Sequence, residues 1–157
     1  MTKSNTLEGW NDKDYCIPLY IWTKEFSRLH QNYLKTIDLT FTQYIVMSVL
    51  WIHGDMLVKE IGKILRLDSG TLTPVLKKLE QKGFVIRQKS AKDARDKMIL
   101  LTQGGRELKK QASAIRNRYV RDLDLDPEVI RKLIYHVKAA SEIMIKEIKI
   151  YDLEENE

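Results

Sequence analysis

The chain of 157 residues holds one cysteine, Cys16. That excludes an internal disulfide and fits a reducing compartment. No apolar run approaches the roughly 18 residues that a membrane helix needs. The opening stretch MTKSNTLEGWNDKDY lacks the apolar core of a signal peptide. These absences predict a soluble, cytoplasmic protein. There is no phosphate loop and no paired metal-ligand spacing, and the three histidines, His30, His53 and His136, stand apart from one another. No catalytic constellation emerges, so the expectation is a protein that is not an enzyme and uses no cofactor or metal. Apolar residues make up 43% of the chain, a normal share for a packed protein and too high for global disorder. The length fits one domain, or one domain with long helical extensions.

Charge is unevenly spread. Residues 59–110 hold 14 Lys or Arg against 6 Asp or Glu, a net of +8, whereas the whole chain carries +5 and the flanks therefore −3. Positive charge concentrated on one module is the electrostatic footprint of a phosphate binder.

Periodicity organises the chain into six helices and a hairpin. Asn11, Asp12 and Asp14 offer caps for a first helix to about residue 37, with an inner stripe of Cys16, Leu19, Thr23, Phe26, His30, Tyr33 and Ile37. Thr40 or Thr42 caps a second helix to about Trp51, apolar nearly all round and so placed in the core. His53-Gly54-Asp55 reads as a turn. A short third helix over 58–65 turns Ile61, Ile64 and Leu65 inward. Asp68 or Ser69 caps a fourth, whose Leu72, Val75, Leu76 and Leu79 share a face. Pro74 either starts that helix with Thr73 as cap or sits in its early turns at the loss of one hydrogen bond. Gly83 ends it. Residues 84–89 and 97–101 are strands, Thr102 caps a fifth helix to about residue 123, and Asp126-Pro127-Glu128 starts a sixth. The sixth carries Ile130, Leu133, Ile134, Val137, Ser141, Met144 and Ile148 on one face. The predicted class is mainly α with a small β-hairpin: a winged helix-turn-helix plus a helical dimerisation region. Its divisions are 1–37 (N-terminal dimerisation helix), 38–105 (DNA-binding domain) and 106–157 (C-terminal dimerisation helices).

At about 100° per residue, Gly70, Thr73, Pro74, Lys77 and Gln81 lie opposite the leucine stripe, with Ser69, Thr71 and Lys78 at its edges. Small and hydroxylic residues allow close approach to bases, and a helix N-terminus attracts phosphate. Lys77 and Lys78 suit phosphate or guanine contacts. Arg95, at the hairpin tip, suits the narrow minor groove, with Asp93 and Asp96 beside it to orient it.

The run LDSGTLTPVLKKLEQKGFVIR, followed by KDARDKMILLTQGG, closely resembles MarR-family transcription regulators. The wing signature falls on Asp93, Arg95, Leu101, Thr102 and Gly105. The D-S-G-T-L-T-P run resembles the organic-hydroperoxide-sensing, OhrR-like branch and its staphylococcal relatives. The resemblance spans about residues 13–150. It implies a winged-helix homodimer that binds a palindromic operator in double-stranded DNA, usually represses, and lets go on a signal. On the matching positions Ser69, Gly70, Thr71, Thr73 and Lys78 contact DNA from the helix, and Arg95 from the wing. The resemblance also implies a reactive cysteine at Cys16, near a helix start whose dipole favours a thiolate. The tyrosines that hydrogen-bond the sulfur in that branch are replaced here by His30 and Phe41. His30 lies 14 residues past Cys16, about 21 Å along a helix, so it is expected to meet the partner subunit's cysteine. Two alternatives stand: release by a small aromatic ligand near Trp22, Arg28, Tyr44 and Trp51, or a non-specific architectural nucleic-acid-binding protein.

Overall fold

A computed structural model describes residues 15–89, 96–124 and 126–154. They fall into two compact units divided after Asn117. The first opens with α1 (Cys16–Leu34), which tightens into a 3₁₀ turn at Lys35–Ile37 rather than staying α-helical to 37. Asp38, in the left-handed region at φ 51°, ends it. Of the expected caps for α1, Asn11, Asp12 and Asp14 lie outside the described residues.

Thr40, not Thr42, caps α2 (Phe41–His53). Its hydroxyl accepts from the Gln43 amide while Gln43 Oε1 accepts from the Thr40 N–H, a reciprocal pair that satisfies two donors a helix start leaves open. Val46, Met47 and Leu50 of α2 are fully buried at the centre of the core. A two-residue strand β1 (Met56–Leu57) then leads into α3 (Val58–Leu65). Ile61 is buried and Leu65 packs on the core, but Ile64, expected to face inward, is 46% exposed. Ile61 and Leu65 are one turn apart and take the packing face between them.

The fourth helix, α4 (Ser69–Gln81), is capped by Asp68 and buries Leu72, Leu76 and Leu79. Each buried leucine is worth about 1.5–3 kcal/mol of transfer energy, which fixes which face of α4 turns outward. Pro74 sits inside the helix rather than at its start. Gly83, at φ 73°, turns the chain out of α4 into β2 (Val85–Lys89), which pairs antiparallel with β3 (Lys97–Leu101). β1 adds to the other edge of β3 through Met56 opposite Ile99 and Leu57 opposite Met98. The sheet is therefore three-stranded, in the order β1-β3-β2, where the sequence shows only a hairpin. Asp55 secures the junction by accepting from the Leu101 amide at 2.9 Å.

Helix α5 (Gln103–Asp122) begins at Thr102, whose hydroxyl accepts from the Gly105 N–H. The second unit holds α6 (Pro127–Glu154), capped by Asp126. Val129, Leu133, Ile134, Val137, Met144 and Ile148 are all exposed on it. No helix among the described residues is long and apolar enough to cross a membrane.

Candidate nucleic-acid interface

The outward face of α4 is built from its N-terminus. Asp68 Oδ1 accepts from the Thr71 amide at 2.8 Å, and its Oδ2 accepts from the Thr71 hydroxyl at 2.9 Å. These hydrogen bonds, the amide one foremost, hold the Asp68 carboxyl below its ordinary value. The helix N-terminus is thus already occupied by a carboxylate and is not the open phosphate seat that helix starts provide elsewhere. Attraction of DNA then falls to side chains. Ser69, Gly70, Thr71, Thr73, Lys77 and Lys78 are all exposed. They form one continuous surface, although Thr71 spends its hydroxyl proton on Asp68. Arg95 lies outside the described residues, as does Asp93.

Beside this surface runs an open groove of about 550 Å³ between α3, the start of α4 and the base of the hairpin. Its rim carries Lys59, Lys63, Arg66 and Lys97 over a floor of Val58, Leu67 and Leu72. A helical-wheel reading of α4 alone misses these four cations, although all belong to the basic stretch 59–110. Only the packing of α3 against the wing brings them together. Asp96, expected to orient Arg95, accepts from Lys59 Nζ at 2.6 Å, fastening α3 to the wing base.

Not every cation of the stretch faces outward. Lys82, at the end of α4, turns back to Asp38, meeting both its carbonyl and its carboxylate, and to the buried Gln43 Oε1 at 3.2 Å. Arg87 on β2 is held by Glu80. The net charge therefore overstates the number of cations available to phosphates.

The candidate sensor residues sit on α1. Cys16 is its first residue and is exposed. His30 is half-buried in an aromatic cluster, 4.1 Å from the Phe26 ring and 5.2 Å from Phe41. The two positions at which the OhrR-like pattern has tyrosines therefore touch within one subunit. His30 Nδ1 lies 2.8 Å from the Phe26 carbonyl, so that nitrogen carries the proton. Burial keeps the ring below the ordinary histidine value, outweighing the carbonyl contact that favours the charged form. The expected aromatic-ligand set does not converge. Trp22 stacks on Phe26 and Arg28 pairs with Glu25 along α1. Trp51 donates its indole N–H to the Gly105 carbonyl at 2.8 Å. The cavity that Tyr44 and Trp51 share between α2 and α5 is about 120 Å³, below the roughly 300 Å³ at which ligand pockets begin.

The pattern of the MarR family matches residues 39–97. The HTH-type transcriptional regulator SarZ of Staphylococcus saprophyticus is 39% identical over 124 residues, which cover 79% of this chain and 82% of SarZ. The crystal structure of AbfR of Staphylococcus epidermidis matches with a TM-score of 0.73 at 29% identity, covering 85% of this chain and 92% of that one. Reduced AbfR bound to DNA gives 0.72 at 27% identity, with coverages of 85% and 93%.

Proposed function

This chain belongs to the MarR family, and on that premise we propose that it is a sequence-specific transcriptional repressor, a homodimer on a palindromic operator, released when organic hydroperoxide oxidises Cys16. It is a DNA-binding regulator of the winged-helix type. The carrying observation is the continuous exposed surface from Ser69 to Lys78, flanked by the groove cations Lys63, Arg66 and Lys97, with Lys59 of the same groove held by Asp96. The wing signature on Asp93, Arg95, Leu101, Thr102 and Gly105 assigns a minor-groove contact to Arg95.

Dimerisation is supported by apolar surface without a use inside one chain. Ile17, Leu19, Tyr20 and Trp22 on α1 are 40–61% exposed, and α6 keeps its apolar stripe in solvent. A two-fold partner covers such faces and sets the spacing of two reading helices to about one DNA turn.

Redox control is supported by an exposed cysteine at the first position of a helix and by the kinship with AbfR, a protein solved in reduced, DNA-bound form. Attack of the Cys16 thiolate on the peroxide transfers one oxygen to sulfur and releases an alcohol. His30 has its Nδ1–H committed to the Phe26 carbonyl, and burial holds its ring below the ordinary histidine value.

The test is binding to the DNA upstream of the protein's own gene, before and after hydroperoxide treatment. Reduced protein should prefer the palindrome over a scrambled duplex by a large ratio at physiological salt, and oxidation should abolish that preference. Cys16→Ser should bind normally and stay bound in oxidant. Release of Cys16→Ser by oxidant sinks the redox switch, and equal binding to both duplexes sinks the regulator reading.

A further inference from the structure

We infer that Glu80 and Arg87 are positioning residues of the DNA interface: their hydrogen-bonded pair sets the angle between the reading helix and the wing, and so contributes discrimination between sequences rather than attraction to DNA. The inference rests on the reading of α4 and the hairpin as a DNA-binding surface.

The geometry is specific. Glu80 Oε2 accepts from Arg87 Nε and Nη2, both at 2.7 Å. Its other oxygen, Oε1, accepts from the Arg87 backbone N–H at 3.1 Å. One carboxylate thus grips side chain and main chain of β2 together, across the Gly83 turn. Both side chains are largely covered, with 34% of Glu80 and 25% of Arg87 exposed. Charge-assisted, forked contacts of this kind fix orientation as well as distance.

Place and sign make the pair informative. Residues 73, 77 and 80 follow steps of four and three, so Glu80 continues the stripe of Thr73 and Lys77 on α4. An acid there lies at the end of a surface otherwise suited to phosphates, and Coulomb attraction to DNA would be stronger without it. Arg87, for its part, spends on Glu80 a charge that DNA could have used. What the pair supplies is rigidity. The reading helix and the wing address different grooves, whose separation is fixed by the duplex. A protein whose helix and wing move independently keeps its phosphate contacts but loses simultaneous register in both grooves.

Two substitutions separate position from charge. Glu80→Gln removes an acid beside DNA, and Arg87→Lys keeps the positive charge but loses the fork. Each is compared with wild type on a palindromic duplex selected by the wild-type protein from a random pool and on a scrambled duplex, at fixed moderate salt. Thermal unfolding run alongside shows that the variants fold. Both variants should lose on the order of tenfold on the selected duplex, comparable to one mismatched base pair, while binding to the scrambled duplex is unchanged or, for Glu80→Gln, tighter. The swapped double variant Glu80→Arg with Arg87→Glu should recover part of the loss. Glu80→Gln binding the selected duplex as tightly as wild type overturns the inference, as does an equal loss on both duplexes. A wild-type protein that treats both duplexes alike overturns the DNA-reading assignment itself.

Discussion

Substituting Gly105 by alanine should unfold the winged module well below its normal temperature, whereas the same change at the neighbouring Gly104 should do no harm. A Cβ on Gly105 would lie 2.0 Å from the Phe84 carbonyl oxygen and 3.0 Å from its carbon. Both are backbone atoms, so no rotamer change relieves the clash. The start of α5 must move off the α4–β2 turn by about 1.4 Å to bring the contact out to an ordinary van der Waals distance. Overpacking of that kind costs about 1–3 kcal/mol. The same shift strains the Trp51 indole bond to the Gly105 carbonyl and the Thr102 amide bond to the Phe84 carbonyl, at about 1 kcal/mol each. Helix propensity returns about 1 kcal/mol, leaving a net loss of roughly 2–4 kcal/mol. For a unit of this size that is a drop of roughly 6–15 °C in Tm. A Cβ on Gly104 meets nothing closer than 3.8 Å, and its variant should match wild type or gain up to about 1 kcal/mol. Thermal and urea unfolding followed by circular dichroism decide the matter. A Gly105→Ala protein with the wild-type midpoint, or a Gly104→Ala protein that falls as far, would refute the packing argument.

The reading surface makes contrasting claims about its charges. Lys77→Ala and Lys78→Ala should weaken binding to specific and scrambled duplexes alike, each lowering the salt slope by about 0.9. Arg95→Ala should cost about 1–3 kcal/mol on the specific site and little on the scrambled one. Fluorescence titrations across a salt series distinguish the two patterns. The cap of α4 should be acid-sensitive. Hydrogen bonds from Thr71 depress the Asp68 carboxyl in the folded state, so its stabilisation is complete above the ordinary value of 3.8 and is lost as pH falls through the lower folded value. Asp68→Asn retains the cap without the charge, so its melting temperature should lose less than that of wild type between pH 4 and the acid limit; parallel curves would contradict the assignment.

Much of the recognition module was legible because its signals are local. A carboxylate three residues before the amide it caps, a glycine just past a helix end and a leucine spacing of three and four each report on atoms within one turn. Hence α4, its exposed Ser69–Lys78 surface and the two strands of the hairpin follow from the sequence. The errors arose where contacts join distant segments. β1 is too short to show any alternation and exists only because Met56 and Leu57 find β3. Ile64 matches the helical pattern, yet Ile61 and Leu65 fill the face. The ion pair of Asp96 with Lys59 on α3, 37 residues away in sequence, has no local signal either.

The sequence by itself determined the family, the order of elements and which face of α4 is left for a partner, because burying Leu72, Leu76 and Leu79 permits no other orientation. Tertiary structure decided how the charges are spent. It turned Lys82 inward to Asp38 and Gln43, tied Arg87 to Glu80, and gathered Lys59, Lys63, Arg66 and Lys97 around one groove. A count of charges along a chain is blind to pairing. Whether a lysine attracts a phosphate or locks a helix depends on which acid lies within about 4 Å, and that distance is set by packing alone.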